Sequence, residues 1–556
     1  MGITRRTFAK IVGAGAVGLA AIPVLSACTS SDPEAGGGAG TDPDGPAGGG
    51  TDLTEGGNEV IIAMAPGNEP EAGFDPFFNW GDGEHSHEPL IQSTLVTTTL
   101  DMGFENDLAT AYEVSDDGML WTFTIRDDVR FSDGEPLDAA DVAYTLNGIK
   151  QSEGSETDLS MVLEAVVADA TTVEIRMERP YNALLYTLAN IGIVPEHAYG
   201  PGYGQRPVGS GRYMLEQWDR GQQIILAPNP NYYGSRPAME RVVVVFMEED
   251  AALAAARAGQ VDMAATSAVY SDQAIDGFEI LACKTVDSRG ISLPTPPAGT
   301  IKQVGDEEIL TGNVVTSDLA IRRALNHAID RDLMVQNVLN SYGTVAFSVS
   351  DGMPWSSPDM RVVASLNEAV HILEEGGWEL GEDGIAQKDG IRASIQLCYP
   401  SNDSTRQALA NEFASQVRPA GIEVNVVGLG WDDLYPLAYS TPIVWGWGSN
   451  SPAELYSLFH SQGSGNFASY ANSTIDSHLD DALKTKTLEQ SFELWQKAQW
   501  DGKEGVAPQG AATWVWLANI DHLYFKRTNL AVPPQKLHPH GHGWAVLNNV
   551  DRWVWQ

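Results

Sequence analysis

Basic residues are scarce in this chain: 33 Lys and Arg stand against 74 Asp and Glu among 556 residues, for a formal net charge of −41. A surface this acidic repels phosphate backbones, which excludes nucleic-acid binding through a basic patch. Cysteine is scarcer still, and three of them make neither a disulfide scaffold nor a Cys-rich zinc module. Past the N-terminal segment, no stretch is apolar for long enough to span a bilayer. There is no Gly-x-Ser-x-Gly elbow, no phosphate-binding Gly-x-x-x-x-Gly-Lys-Ser/Thr loop and no His-Glu-x-x-His helix. No repeat recurs, so a solenoid or propeller is excluded. Hydrolase chemistry and cofactor chemistry are not written in the sequence. What is present is 43% hydrophobic residues, 56 glycines and 15 tryptophans. That composition and length describe a large acidic protein of about two to four domains with buried cores.

The N-terminus is an address followed by a tether. Thr4-Arg5-Arg6-Thr7-Phe8-Ala9-Lys10 precedes an apolar run from Ile11 to Ala27, in the order of a signal peptide. The paired arginines resemble the twin-arginine export signal. Leu25-Ser26-Ala27-Cys28 resembles a bacterial lipobox, in which Cys28 carries the lipid and becomes the first mature residue. Residues 29–58 hold ten glycines, six acids and no basic residue, a composition that cannot offset its ordering entropy by burial. Such a leash has a root-mean-square reach of about 30 Å. The expectation is a lipoprotein anchored through Cys28 to the outer face of the cell membrane, with an extracytoplasmic task.

From Glu59 onward the pattern is that of an α/β protein. Val60-Ile61-Ile62-Ala63-Met64 and Arg241-Val242-Val243-Val244-Val245-Phe246 read as buried strands. Trp121, Phe123 and Ile125 alternate with polar residues, as do Val173, Ile175 and Met177. Ser317 is placed to cap one helix and Ser404 another, the second ending at Arg418-Pro419. Ile391, Ala393, Ile395 and Leu397 lead into that second helix, and Ile422, Val424 and Val426 lead out, which makes a βαβ unit. Val208-Gly209-Ser210-Gly211-Arg212-Tyr213 reads as a turn entering a strand. Cys283 and Cys398 fit either one disulfide or two buried thiols.

Two kinds of residue are candidates for a site. Glu84-His85-Ser86-His87-Glu88 and His538-Pro539-His540-Gly541-His542 alternate imidazoles at a spacing that points side chains the same way in an extended chain. Imidazole suits nickel, zinc and copper, so His85, His87, His538, His540 and His542, with His460, form an alternative metal set. The plainer reading is that they fill loops and bond backbone or carboxylates. Trp445-Gly446-Trp447-Gly448-Ser449-Asn450-Ser451-Pro452 follows an apolar run, where glycines admit a ligand close to the backbone and indoles wall it. Trp80, after Phe74-Asp75-Pro76-Phe77-Phe78, is a similar candidate, and core packing is the plain alternative for both.

Several stretches in one order resemble the family 5 extracellular solute-binding proteins of ABC importers. They are Glu113-Val114-Ser115-Asp116-Asp117-Gly118 with Trp121 to Arg126, Phe131-Ser132-Asp133-Gly134-Glu135-Pro136-Leu137 with Ala140-Asp141-Val142, and Val208 to Tyr213. Asn229-Pro230-Asn231-Tyr232-Tyr233, Ala258-Gly259-Gln260-Val261-Asp262 and Ile321 to Arg331 complete the set. The resemblance covers nearly all of 59–556. It implies a periplasmic-binding-protein type II architecture, two α/β lobes around a cleft plus an inserted lobe. By that analogy, 59–96, 207–287 and 518–556 form lobe I, 97–206 the inserted lobe and 288–517 lobe II.

The resemblance further implies a monomeric receptor, not an enzyme, that closes on a peptide or metal chelate and delivers it to an ABC permease and its ATPase. In many peptide binders of the family an Asp grips the ligand's ammonium; the position here is Asn450, an acceptor without charge. Nickel-chelate binders use Trp, Arg and His around the same segment. The expected ligand contacts are therefore Trp80, His85, His87, Trp445, Gly446, Trp447, Ser449, Asn450 and His460, with no cofactor. An extracellular hydrolase or sensor and a cation-storing surface protein are the readings from other classes, and neither accounts for the collinear motifs.

Overall fold

The computed structural model describes residues 58–78, 88–155, 157–304, 307–541 and 543–556. The signal segment, Cys28, the leash, Trp80, His85, His87 and His542 lie outside them. The first sheet has seven strands, in the order Phe278–Cys283, His522–Arg527, Met263–Thr266, Glu59–Met64, Arg241–Phe246, Gln223–Pro228 and Tyr213–Asp219. Glu59–Met64 lies near the middle, parallel to both neighbours, because its apolar residues have two faces to bury. Val60, Ile62 and Met64 join Tyr213, Trp544 and Trp553 on one face. Ala63 joins Ala252, Leu253 and Phe525 on the other, under the helix Glu249–Arg257.

Residues between the first two contributions to that sheet build a separate layer. Ala109–Val114, Leu120–Ile125, Thr172–Met177 and Val162–Asp169 pair antiparallel in that order. The alternation in Leu120–Ile125 turns Trp121, Phe123 and Ile125 inward, onto Val142, Leu146 and Ile149 of the helix Ala139–Gln151. Asp138 and Asp141 close that helix's N-terminus as a capping box.

The second α/β body has a four-stranded sheet in the order Gly343–Val345, Trp514–Ile520, Ser288–Ser292 and Val444–Trp447. The expected βαβ unit adjoins it: Ser394–Pro400 and Glu423–Leu429 run parallel, joined by the helix Ser404–Val417. A bridge between Cys398 and Ile443 links this pair to the larger sheet. Each helix cap is displaced by one residue from its expected position, one earlier and one later. Asp403 accepts from Arg406 N at 2.8 Å, and Asp318 from Ala320 N at 2.8 Å, so Ser404 starts its helix and Ser317 precedes the cap. A carboxylate at the N-cap also complements the helix dipole.

The arginines of Ile321–Arg331 tie this body together through backbone carbonyls. Arg322 donates to Thr316 O at 2.7 Å and Ala511 O at 2.9 Å, and Arg331 to Trp516 O at 2.7 Å and Ala346 O at 3.1 Å. Burial lowers both guanidinium pKa values to about 10, so they stay charged at neutral pH. Cys283 and Cys398 are buried free thiols in different sheets.

The chain crosses between the two sheets twice, side by side. Phe278–Cys283 leads through Lys284–Asp287 into Ser288–Ser292, and Trp514–Ile520 returns through Asp521 into His522–Arg527. Ile520 N donates to Asp287 O at 2.9 Å across the crossings. The strand Trp514–Ile520 thus carries 518 inside the second body, and the return falls at Asp521 rather than at 518. The C-terminal segment lies alongside, where Val286 N donates to His538 O. No helix among the described residues is long and apolar enough to cross a membrane.

Candidate ligand-binding site

The strand Val444–Trp447 is buried throughout and pairs antiparallel with Ser288–Ser292, Gly446 opposite Arg289. The period of two sends both indoles to one face and Gly446 to the other. Trp445 is core: its ring stacks on Phe467 at 4.5 Å and its N–H donates to Ser292 Oγ at 3.0 Å. On the opposite face a Cβ at Gly446 would sit less than 3.0 Å from Arg406, His540 and Arg289, so a larger residue would have to displace these side-chain ends. At Gly448 (φ +149°) a Cβ would run into the Val286 carbonyl.

Beyond Gly448 the chain turns into the helix Ala453–Phe459. Glu454 reaches back and accepts from Gly448 N at 2.8 Å and Ser449 N at 2.9 Å, which fixes the turn. That turn opens onto a cavity of about 360 Å³. Gly446, Trp447, Ser449, Asn450 and His540 line one side, and Lys536 and Leu537 continue it. The antiparallel layer supplies the other wall through Asp158, Tyr181, Tyr186, Thr187 and Asn190. Lys536 is held by Glu88 at 2.6 Å and Thr97 Oγ1 at 3.0 Å. Burial by itself raises the Glu88 pKa, and the charge and hydrogen bonds of Lys536 reverse this to a net lowering.

Asn450 is oriented by its own amide: Nδ2 donates to Leu537 O at 3.3 Å, and Oδ1 is buried with no hydrogen-bond partner among the described residues. Trp447 Nε1 is likewise buried and unpartnered. An unsatisfied buried polar atom costs about 1–3 kcal/mol. Asn450 and Trp447, both lining the cavity, each carry one such unpaired polar atom shielded from solvent.

Behind Gly446 lies a buried charge cluster that sequence reasoning did not find. Asp287, at the first crossing, accepts from Arg289, from His522 Nε2 at 3.0 Å and from His540 Nδ1 at 2.6 Å. Its own burial opposes ionisation, yet Arg289 and His540 hold its carboxyl well below the usual range. Burial pushes His540 down to about 3, so it stays neutral and donates its Nδ1 proton to Asp287. The available signal was two opposite charges, Asp287 and Arg289, flanking a serine at the start of an apolar strand.

Of the histidines singled out above, the described ones fall in two places, His538 and His540 at the crossing and His460 after the helix Ala453–Phe459. His460 caps the C-terminus of Ala453–Phe459 and is not among the residues lining the cavity, although Ser457 and Ser464 on either side of it are. There its ring stacks on Tyr456 and its Nδ1 accepts from Gln462 N. His538 is fully buried at the crossing, its Nδ1 3.2 Å from His522 Nδ1, and burial depresses it strongly. Among the described residues no group of three or more His, Cys, Asp or Glu is arranged to hold a metal ion. Trp445 and His460, expected among the ligand contacts, do not line this cavity.

Residues 103–469 match the family described as bacterial extracellular solute-binding proteins, family 5 Middle. The chain belongs to that family. Protein XP55 of Streptomyces lividans is 33% identical over 85% of either chain. The oligopeptide-binding protein AppA of Bacillus subtilis is 25% identical, covering 90% of this chain and 92% of its own. Among solved structures, NikZ from Campylobacter jejuni in complex with Ni(L-His) aligns with a TM-score of 0.74 at 23% identity, covering 89% of this chain and 99% of that one. The fold is the type II periplasmic-binding-protein fold. Like other family 5 solute-binding proteins, the chain is an extracytoplasmic transport receptor and not an enzyme.

Proposed function

We propose that this family 5 solute-binding protein captures short peptides in the cleft beside Asn450 and presents them to the permease and ATPase of an ABC importer. The observation that carries the reading is the buried, unpartnered Asn450 Oδ1. It is an acceptor fixed in place, at the position where the family resemblance puts the residue that grips a peptide's ammonium. Asp158 and Glu454 add negative charge around the same cavity, and hydroxyls and phenols of Ser449, Thr187, Tyr181 and Tyr186 suit backbone amides. A volume of about 360 Å³ is at the low end for small-ligand sites, which favours di- and tripeptides over longer ones. Cys28 carries the lipid, the twin-arginine segment directs export, and the leash lets a monomeric receptor reach the permease.

Isothermal titration with a tripeptide and its N-acetylated form tests this. Wild type binds the free peptide more tightly, and Asn450→Ala loses about tenfold. Asn450→Asp, which adds a charge-assisted bond, tightens the free peptide by about tenfold and leaves the acetylated one behind. Equal affinity of all three proteins for both peptides removes Asn450 from the site. The metal-chelate alternative is favoured by His540 on the cavity wall. It predicts that Ni²⁺ with free L-histidine raises the melting temperature and that peptides do not.

A further inference from the structure

The wall formed by Tyr181, Tyr186 and Thr187 belongs to the inserted antiparallel layer, and what holds it over the cavity is Asn182. The helix Ser473–Lys484 of the second body ends at Thr485 in extended conformation, without the glycine turn that usually satisfies the last carbonyls. Thr485 Oγ1 reaches back to Ala482 O at 3.2 Å, and the other donors come from about 300 residues away. Asn182 Nδ2 donates to Ala482 O at 2.8 Å and to Thr485 Oγ1 at 2.6 Å, and Asn182 N donates to Leu483 O at 3.2 Å. Asn182 is only 9% exposed, and its Oδ1 is buried without a partner, so the side chain is committed to these donations. Beside it, Tyr186 meets Trp355 of the second body edge to face at 6.1 Å. The exposed pair Lys486–Asp116 spans the same seam, where solvent screens it.

We infer that Asn182 is a positioning residue for ligand retention: it caps a helix of one lobe from the other and so fastens the cleft shut. It touches no ligand. The contact joins two bodies that the crossings at Lys284–Asp287 and Asp521 leave able to hinge, so it exists only when they are closed. Opening exposes the three helix-end acceptors to water, and closing exchanges those waters for Asn182. The inference rests on the receptor reading above for its consequence, slow release of the ligand, and not for its geometry.

Two measurements on the chain from residue 29 onward test it. In the first, Asn182→Cys and Thr485→Cys are combined and oxidised with diamide in the absence of any ligand; Cys283 and Cys398 are buried and do not compete. A 182–485 disulfide is expected, and failure to form it overturns the closed contact. In the second, Asn182→Asp, nearly isosteric but without the amide donor, is compared with wild type for release of a tripeptide and of Ni²⁺ with L-histidine. Release of whichever probe binds should be about tenfold to a hundredfold faster, with association and the ligand-free melting temperature unchanged. Unchanged release overturns the inference, and a fall in melting temperature without faster release makes Asn182 merely structural. If neither probe binds wild type, the cargo reading fails, and the disulfide alone decides the latch.

Discussion

At the scale of single residues, the site is organised by what cannot be added to it. Gly446 admits Arg289, Arg406 and His540 to one point behind the cavity wall. Gly446→Ala should therefore destabilise the chain by about 2 kcal/mol and weaken ligand binding together, read by thermal melts and titration. His540 and His538 also set the response to acid. Both are neutral in the fold, with pKa values depressed from 6.5, while the unfolded chain takes up their protons below that value. The unfolded state then binds more protons, so stability is full above about pH 6.5 and declines as pH falls toward 3. At pH 5 His540 alone accounts for about 2 kcal/mol. Melting temperature between pH 7.5 and 4.5 should fall steeply in wild type and less steeply in His540→Gln; parallel curves would remove His540 from the effect. Asn450 could be singled out because its motif is local. Asp287 could not: its histidine partners lie more than 200 residues away in sequence, and Asp-Ser-Arg alone resembles an exposed strand end.

At the scale of elements, hydrophobic period was a sound guide and capping chemistry a looser one. Glu59–Met64, Leu120–Ile125 and the parallel pair around Ser404–Val417 stand where their apolar spacing puts them, because a buried face admits one register. The caps moved by one residue since Ser-Asp and Asp-Ser both offer oxygens, and only backbone dihedrals choose between them. Ile321–Arg331 was read as a family signature; its physical content is that Arg322 and Arg331 hold together backbone carbonyls from several separate segments. Arg331→Met leaves Trp516 O and Ala346 O without that donor in the core. It should cost about 3 kcal/mol or more by denaturant unfolding, while the ligand affinity of the remaining folded protein stays within threefold. A large affinity loss at unchanged stability would contradict this role.

At the scale of the whole molecule, two chain crossings and a folded-back C-terminus join two α/β bodies, and an inserted layer closes over the seam. The architecture followed from motif order, but the convergence of distant segments did not. The histidines at 538 and 540 were offered as part of an alternative ligand set beside a plainer role on backbone or carboxylates, and the fold packs His538 at the crossing and sets His540 on Asp287. Sequence spacing carries no record of which face of a segment meets the crossing. The central claim is that the cleft beside Asn450 retains a short peptide, and mass spectrometry of the solute released on denaturing protein purified from its native host tests it most directly. Di- and tripeptides are expected at about one per chain, lost from Asn450→Ala. A metal–chelator complex in their place, or no small molecule at all, would contradict it.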